Sequence, residues 1–234
     1  MKKATPDSVE VSANASLEAS PVWLRWLHGT GLRHSLSNIA VALLFLSALA
    51  PANRDAFSSG SINGHSPAEL IWVTGAMLMA VLSLIRIPPV AAMLGLRAIV
   101  ATTGMMVAPA TMHHGAQSTG LIAQFAVIME FAGLVMSQWS RLYLGRRFGL
   151  LPANRGIVTG GPFHIVRHPI YAGWLVLTVG FLMAYPSLLN LAMVVIALLF
   201  MIWRIALEEE LLRADPAYRA YCATTHYRLV PGII

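Results

Sequence analysis

Residues 166–204 read "VRHPIYAGWLVLTVGFLMAYPSLLNLAMVVIALLFMIWR", with no charged side chain between Arg167 and Arg204. A helix needs about 20 apolar residues to cross a hydrocarbon core of about 30 Å, so this run is long enough for two. Tyr185-Pro186-Ser187 divides it. Proline makes the break because it lacks an N–H and its ring crowds the preceding turn. The stretch predicts two membrane-spanning helices joined by a short turn and packed as a tight antiparallel hairpin.

The rest of the chain has the same character. Of 234 residues, 57% are hydrophobic and 11% charged, and the mean hydropathy is +0.66. Globular chains hold about 45–50% apolar residues. Apolar runs recur at about 36–52, 68–86, 90–112, 119–140, 170–186 and 187–206. The expected fold is an all-α integral membrane protein of about six transmembrane helices. Five are expected if the third run, which contains Arg97, lies only in the interface. Arg86-Ile87-Pro88-Pro89 separates the second run from the third. Residues 1–35 read as a disordered polar tail plus an interfacial segment around Trp23, Arg25 and Trp26, residues 36–140 as the N-terminal transmembrane helices, and residues 141–234 as the functional core. Cys222 is the single cysteine, which excludes an intrachain disulfide.

With the N-terminus on the cytoplasmic side, every lysine and arginine except Arg54 falls inside. Such asymmetry is the positive-inside signature of a multi-pass protein with both termini cytoplasmic. It accounts for the net charge of +6 without a nucleic-acid partner.

Two inner stretches, 141–169 and 204–234, flank the last two helices and are brought together by them. His168-Pro169 sets proline at the favoured first helical position. The turn after it presents unpaired N–H groups and the positive end of the helix, a ready site for a carboxylate or phosphate. Arg167 adds a charged donor there, and Tyr171 adds a hydroxyl and a ring. Gly156, Gly160 and Gly161 let the segment from Arg155 to Phe163 approach a ligand closely. At the far end Arg204 and Glu208 share a helical face, beside Glu209 and Glu210, and Tyr218, Tyr221 and Tyr227 follow. The expected cavity suits a ligand bearing a carboxylate, an ammonium and a flat ring. The plainer readings are topology anchors for Arg141, Arg146 and Arg147, and a surface pair for Arg204 and Glu208. Glu130 lies in mid-span, where a carboxylate either lines an acceptor tunnel or pairs with another helix. His113-His114 lacks metal-ligand spacing, so no metal is expected, and no phosphate-loop or nucleophile-elbow motif occurs.

In order, "GRRFGLLPANRGIVTGGPF" (145–163), "VRHPIYAG" (166–173), "EEELL" (208–212), "YRAY" (218–221) and "YRLVPG" (227–232) resemble the isoprenylcysteine carboxyl methyltransferase family. Phospholipid N-methyltransferases and related bacterial membrane methyltransferases share this signature. The resemblance covers roughly residues 140–234. It implies S-adenosyl-L-methionine as methyl donor, held at the cytoplasmic face of a helical membrane fold. By position, Arg155, Gly156, Ile157, Val158, Phe163, His168, Pro169, Ile170, Tyr171 and Glu208 would hold the cofactor, with Arg167 joining them on its charge. The methionyl carboxylate would sit at the helix start, the ammonium at Glu208 and the adenine near Phe163. Arg204 and Glu208 would be the catalytic pair, Arg204 on the acceptor side. Phe163 replaces a tyrosine common in relatives, and the link from Glu208 to Tyr218 is shorter than in eukaryotic members.

The implied reaction moves a methyl group to a lipophilic or membrane-bound acceptor, with carboxylate, thiol and amine all open. The sequence carries no signal for oligomeric state. A reductase related to the NADPH-dependent sterol reductases is the enzymatic alternative, but no cluster suited to a 2′-phosphate is present. A transporter or other non-catalytic membrane protein is a third class. Against it, the informative residues gather at one face and not at mid-bilayer, where transporter sites lie.

Overall fold

The computed structural model describes residues 36–43, 67–113 and 115–233. The polar tail, the Trp23–Trp26 segment, Arg54 and most of the first apolar run lie outside them. Residues 36–43 are helical. Six helices follow: α1 (Pro67–Ile85), α2 (Leu96–Ala110), α3 (Gly120–Leu144), α4 (Pro169–Ala184), α5 (Leu188–Leu212) and the short α6 (Pro216–Thr224). Two helical stretches, Gly120–Arg147 and Leu188–Leu212, are long and apolar enough to cross a bilayer, while Thr74–Ile85, Leu96–Ala108 and Pro169–Ala184 are apolar but shorter.

The third apolar run starts later than its hydropathy suggests. Residues 87–95 are not helical, and Ala91–Ala92 (β1) pairs antiparallel with Ala153–Asn154 (β2). Pro88-Pro89 explains this, since each lacks an N–H and each disfavours helix in the residue before it. Val90 N instead donates to Asn154 O (2.8 Å) and Met93 N to Pro152 O (3.0 Å). Arg97 therefore sits in the first turn of α2. At 1.5 Å per residue that helix rises about 22 Å, short of the ~30 Å core. The small ladder is an exception to the all-helical expectation.

A larger correction concerns the last two long helices. Although only Tyr185-Pro186-Ser187 parts them, α4 and α5 are not packed along their length as a tight hairpin, and meet through Tyr171, Arg204 and Glu208 and the cluster of Ala172, Met201 and Ile205. Instead α4 lies along α3, and α5 lies along α2. Small residues make the difference, because helices in lipid associate where their backbones approach closely. A Cβ on Gly133 of α3 would collide with the Leu177 backbone, and one on Gly173 of α4 would stand 2.5 Å from Ser137 Oγ. Ser137 Oγ donates to Ile170 O at 3.1 Å. On the other pair, a Cβ on Gly104 of α2 would meet the Phe200 ring at 2.6 Å. Ala98, Ala101 and Ala197 are fully buried.

The connecting loops fasten each pair at its far end. Ser118 N donates to Ala184 O (2.9 Å), tying the approach to α3 to the end of α4. Ser187 caps α5 by accepting from Asn190 N (3.0 Å). The buried Asn190 amide donates to Tyr185 O (2.9 Å) and to His113 O (3.0 Å), and accepts from His113 N (3.0 Å). The turn is thereby bound to the end of α2, which sends α5 back along that helix.

Candidate functional site

At the opposite end, the C-terminal tail returns to the segment before α4. Arg167 N donates to Tyr227 O and His168 N to Arg228 O, both at 2.9 Å. The Tyr221 hydroxyl donates to Phe163 O. This pairing brings the two inner stretches together and converges their charges on Glu209, which is 2% exposed. Its carboxylate lies 3.1 Å from Arg167 Nε, 3.3 Å from His168 Nε2, 3.1 Å from Arg213 Nη2 and 3.0 Å from Arg228 Nη2. A lone buried carboxylate is prohibitively desolvated. Four basic groups from the loop, from α5 and from the tail offset that desolvation here.

Glu208, one residue earlier, faces elsewhere. Its Oε2 accepts from the Tyr171 hydroxyl at 3.2 Å. The same hydroxyl accepts from Arg204 Nε at 2.6 Å. Arg204 is 4% exposed, and its other nitrogens donate to Thr102 Oγ1 on α2 and to Leu150 O in the loop after α3. One guanidinium thus joins α2, α4, α5 and that loop.

The loop itself is held by Asn154. Its Oδ1 accepts from Gly156 N (2.9 Å) and its amide donates to Asp215 Oδ2 (2.8 Å). Asp215 Oδ1 in turn caps α6 by accepting from Ala217 N (2.9 Å). Gly156 has φ +93°, a left-handed conformation that a side chain would strain. Arg155 Nε donates to Ile87 O at 3.1 Å. Burial, with Arg86 nearby, lowers the Arg155 guanidinium to about 10, opposed by the Glu208 carboxylate. Phe163 packs with Tyr218 and Tyr221 over Ile157 and Val158. Burial pushes the Tyr221 phenol up to about 12. It pushes Tyr218 higher still, with the Glu209 charge adding to it.

Two buried polar atoms at this end have no partner among the described residues, Tyr218 Oη and Arg141 Nε. Arg167 Nε makes its ionic contact with Glu209 outside hydrogen-bond geometry. Tyr218 is within electrostatic reach of Glu208 and Glu209, and Arg141 of Tyr171. Both orphaned groups therefore lie within electrostatic range of the Tyr171–Glu208 pair.

The structure gathers Tyr171, Arg204 and Glu208 into one network, with Arg155 within electrostatic reach of Glu208. Pro169 opens α4, and Ile170 contributes its carbonyl to Ser137. Arg167 and His168 turn away to Glu209. Tyr171 N (3.1 Å) and Ala172 N (3.0 Å) both donate to His168 O, leaving at most the Ile170 N–H of that turn for an anion. The Phe163 ring is core, covered by the two tyrosines, and is no exposed platform. Glu130 lies at the α3–α4 crossing, where a Cβ on Gly180 would stand 2.8 Å from its N. No metal-binding cluster occurs among the described residues. Sequence reasoning missed the role of Glu209, the anchoring by Thr102 and Asn154, and the two orphaned atoms. Only the 209–213 spacing, one helical turn from acid to base, signalled any of it.

The chain is a mostly helical protein with two helices of bilayer-spanning character, carrying a desolvated, multiply charged site where the loop after α3, the ends of α4 and α5, and the tail meet. Residues 118–215 match the phospholipid methyltransferase family. That stretch runs from the approach to α3 to the N-cap of α6, and is under half of the chain. No curated protein matches the chain.

Proposed function

We propose that this chain is an integral membrane methyltransferase that uses S-adenosyl-L-methionine and methylates a lipophilic or membrane-bound acceptor. The isoprenylcysteine carboxyl methyltransferase and phospholipid methyltransferase kinds both fit. The carrying observation is a coincidence of place. The Tyr171–Arg204–Glu208 network joins helices inside the family-like stretch, and within its electrostatic range are two buried polar atoms that no group among the described residues satisfies. Such atoms are rare, and each costs about 1–3 kcal/mol unless a partner arrives. A polar ligand is such a partner.

S-adenosylmethionine, when bound, supplies an electrophilic methyl group on a sulfonium. The protein's work is to align two reactants and exclude water. Glu208 offers a free carboxylate oxygen to an ammonium, and the backbone from Arg155 to Val158, bent at Gly156, offers close approach. Arg204 is committed to Thr102, Leu150 and Tyr171. It therefore acts by fixing the Tyr171 hydroxyl and by setting positive charge beside the acceptor. A carboxylate or thiolate acceptor attacks as the anion. An amine attacks as the free base and sheds its proton afterwards.

The accompanying topology has six spans, with both termini and the site cytoplasmic, so a reporter inserted between residues 54 and 64 reads as outside. The deciding experiment is calorimetric titration of detergent-purified protein with S-adenosylhomocysteine and with NADPH. Binding of the first and not the second is expected. Binding of NADPH alone overturns the reading in favour of a reductase.

A further inference from the structure

α3 and α4 run antiparallel with Ser137 beside Ile170. One turn further along α3, Arg141 comes level with the entry to α4. Its Nη1 donates to Gln138 Oε1 at 3.0 Å, which fixes the guanidinium plane. Its Nε is closed off from solvent and has no partner, and the guanidinium is within electrostatic reach of Tyr171. No ion-pair partner for Arg141 occurs among the described residues. The other arginines of the site are committed: Arg167, Arg213 and Arg228 to Glu209, and Arg204 to Thr102, Leu150 and Tyr171. A topology anchor reaches for water; Arg141 buries a donor instead.

A desolvated guanidinium N–H facing nothing is unfavourable, and an anionic oxygen is its strongest complement. The start of α4 adds the positive end of a 16-residue helix and at most the Ile170 N–H. Tyr218 Oη is a second buried group without a partner in the same site. Among the described residues, what the protein leaves unsatisfied is Arg141 Nε and at most the Ile170 N–H.

We propose that Arg141 is an anion-binding residue of this site, taking a carboxylate or phosphate oxygen of the bound ligand together with the start of α4. The Nε edge, left open while Gln138 holds Nη1, suits a planar carboxylate better than an ammonium could. The assignment rests on the methyltransferase reading only for the anion's source: the methionyl carboxylate of the donor, or the phosphate of a lipid acceptor.

The test uses the full chain in detergent, titrated with S-adenosylhomocysteine, its decarboxylated analogue and dihexanoyl phosphatidic acid. Arg141→Gln and Arg141→Lys are compared with the parent, and thermal unfolding monitors the fold. If the donor supplies the anion, Arg141→Gln weakens S-adenosylhomocysteine about 10-fold or more, and the decarboxylated analogue by less than about two-fold. If the acceptor supplies it, only phosphatidic acid weakens. Arg141→Lys recovers part of the loss at most, and stands in for the glutamine variant should that one not fold. Unchanged binding of both anionic probes overturns the proposal. If S-adenosylhomocysteine fails to bind even the parent, the methyltransferase reading falls while phosphatidic acid still decides Arg141. Binding of neither probe to the parent removes both.

Discussion

Glu208 and Glu209 are adjacent on α5, about 100° apart around the helix axis, and have opposite surroundings. Glu209 is buried among Arg167, His168, Arg213 and Arg228. Glu208 is half-buried and accepts a hydrogen bond from the neutral Tyr171 hydroxyl. The more heavily charged of the two environments is the less useful for chemistry, since every Glu209 oxygen is already engaged. Glu209 fastens the tail to the loop before α4. Glu208 retains capacity for a cation from outside. Charge density alone thus points to Glu209, and unused capacity points to Glu208.

The largest effect expected from this contrast is on folding. Glu209→Gln keeps the shape but removes the charge that three arginines and His168 surround. Breaking a buried ion pair from one side costs about 3–5 kcal/mol. Chemical unfolding in mixed micelles should register a loss of that size. A loss near zero would mean that the tail is held by its backbone pairing with Arg167 and His168 and not by the carboxylate.

Most of the helices were legible in the sequence because hydropathy reports burial in lipid directly. The runs at 119–140, 170–186 and 187–206 correspond to α3, α4 and α5 within a few residues. The meeting of the loop before α4 with the tail was legible as well, since two polar stretches flanking adjacent helices return to one end. Partner choice was not. Gly133, Ser137, Gly173 and Gly180 lie inside apolar runs, and hydropathy cannot weigh the backbone approach they permit. Neither was the rotational phase of α5, which sends Glu209 into the cluster and Glu208 towards Tyr171. In "EEE" only the spacing of Glu209 to Arg213 sets one acid apart from its neighbours. The extended stretch at 87–95 was half legible, with Pro88-Pro89 marking the break but not its length.

The next effect falls on binding. Glu208→Gln keeps an oxygen for the Tyr171 hydroxyl, so unfolding should shift by no more than about 1 kcal/mol, the size of a single hydrogen bond. S-adenosylhomocysteine is deprived of a charge-assisted hydrogen bond, worth about 1.5–3 kcal/mol, or roughly 10- to 150-fold in affinity. Calorimetry and unfolding on the same preparations decide between the two acids. Similar profiles for Glu208→Gln and Glu209→Gln would erase the contrast and make both structural.

The smallest effect, and the sharpest in sign, belongs to Tyr218. The residue is 3% exposed, its hydroxyl has no partner, and its ring packs against Phe163 and Tyr221. Burial and the Glu209 charge hold the phenol protonated far above neutral pH, so the group is a donor waiting for an acceptor. Tyr218→Phe keeps the ring and removes the unsatisfied hydroxyl. Without ligand the variant should therefore be more stable, by about 1 kcal/mol. With ligand, absence of the hydroxyl donor should weaken S-adenosylhomocysteine about 2- to 10-fold, the range of a single neutral hydrogen bond. A purely structural tyrosine cannot give both signs, because poorer packing lowers stability and binding together. If the phenylalanine variant is less stable and binds as well as the parent, Tyr218 belongs with Glu209 to the fastening of the tail.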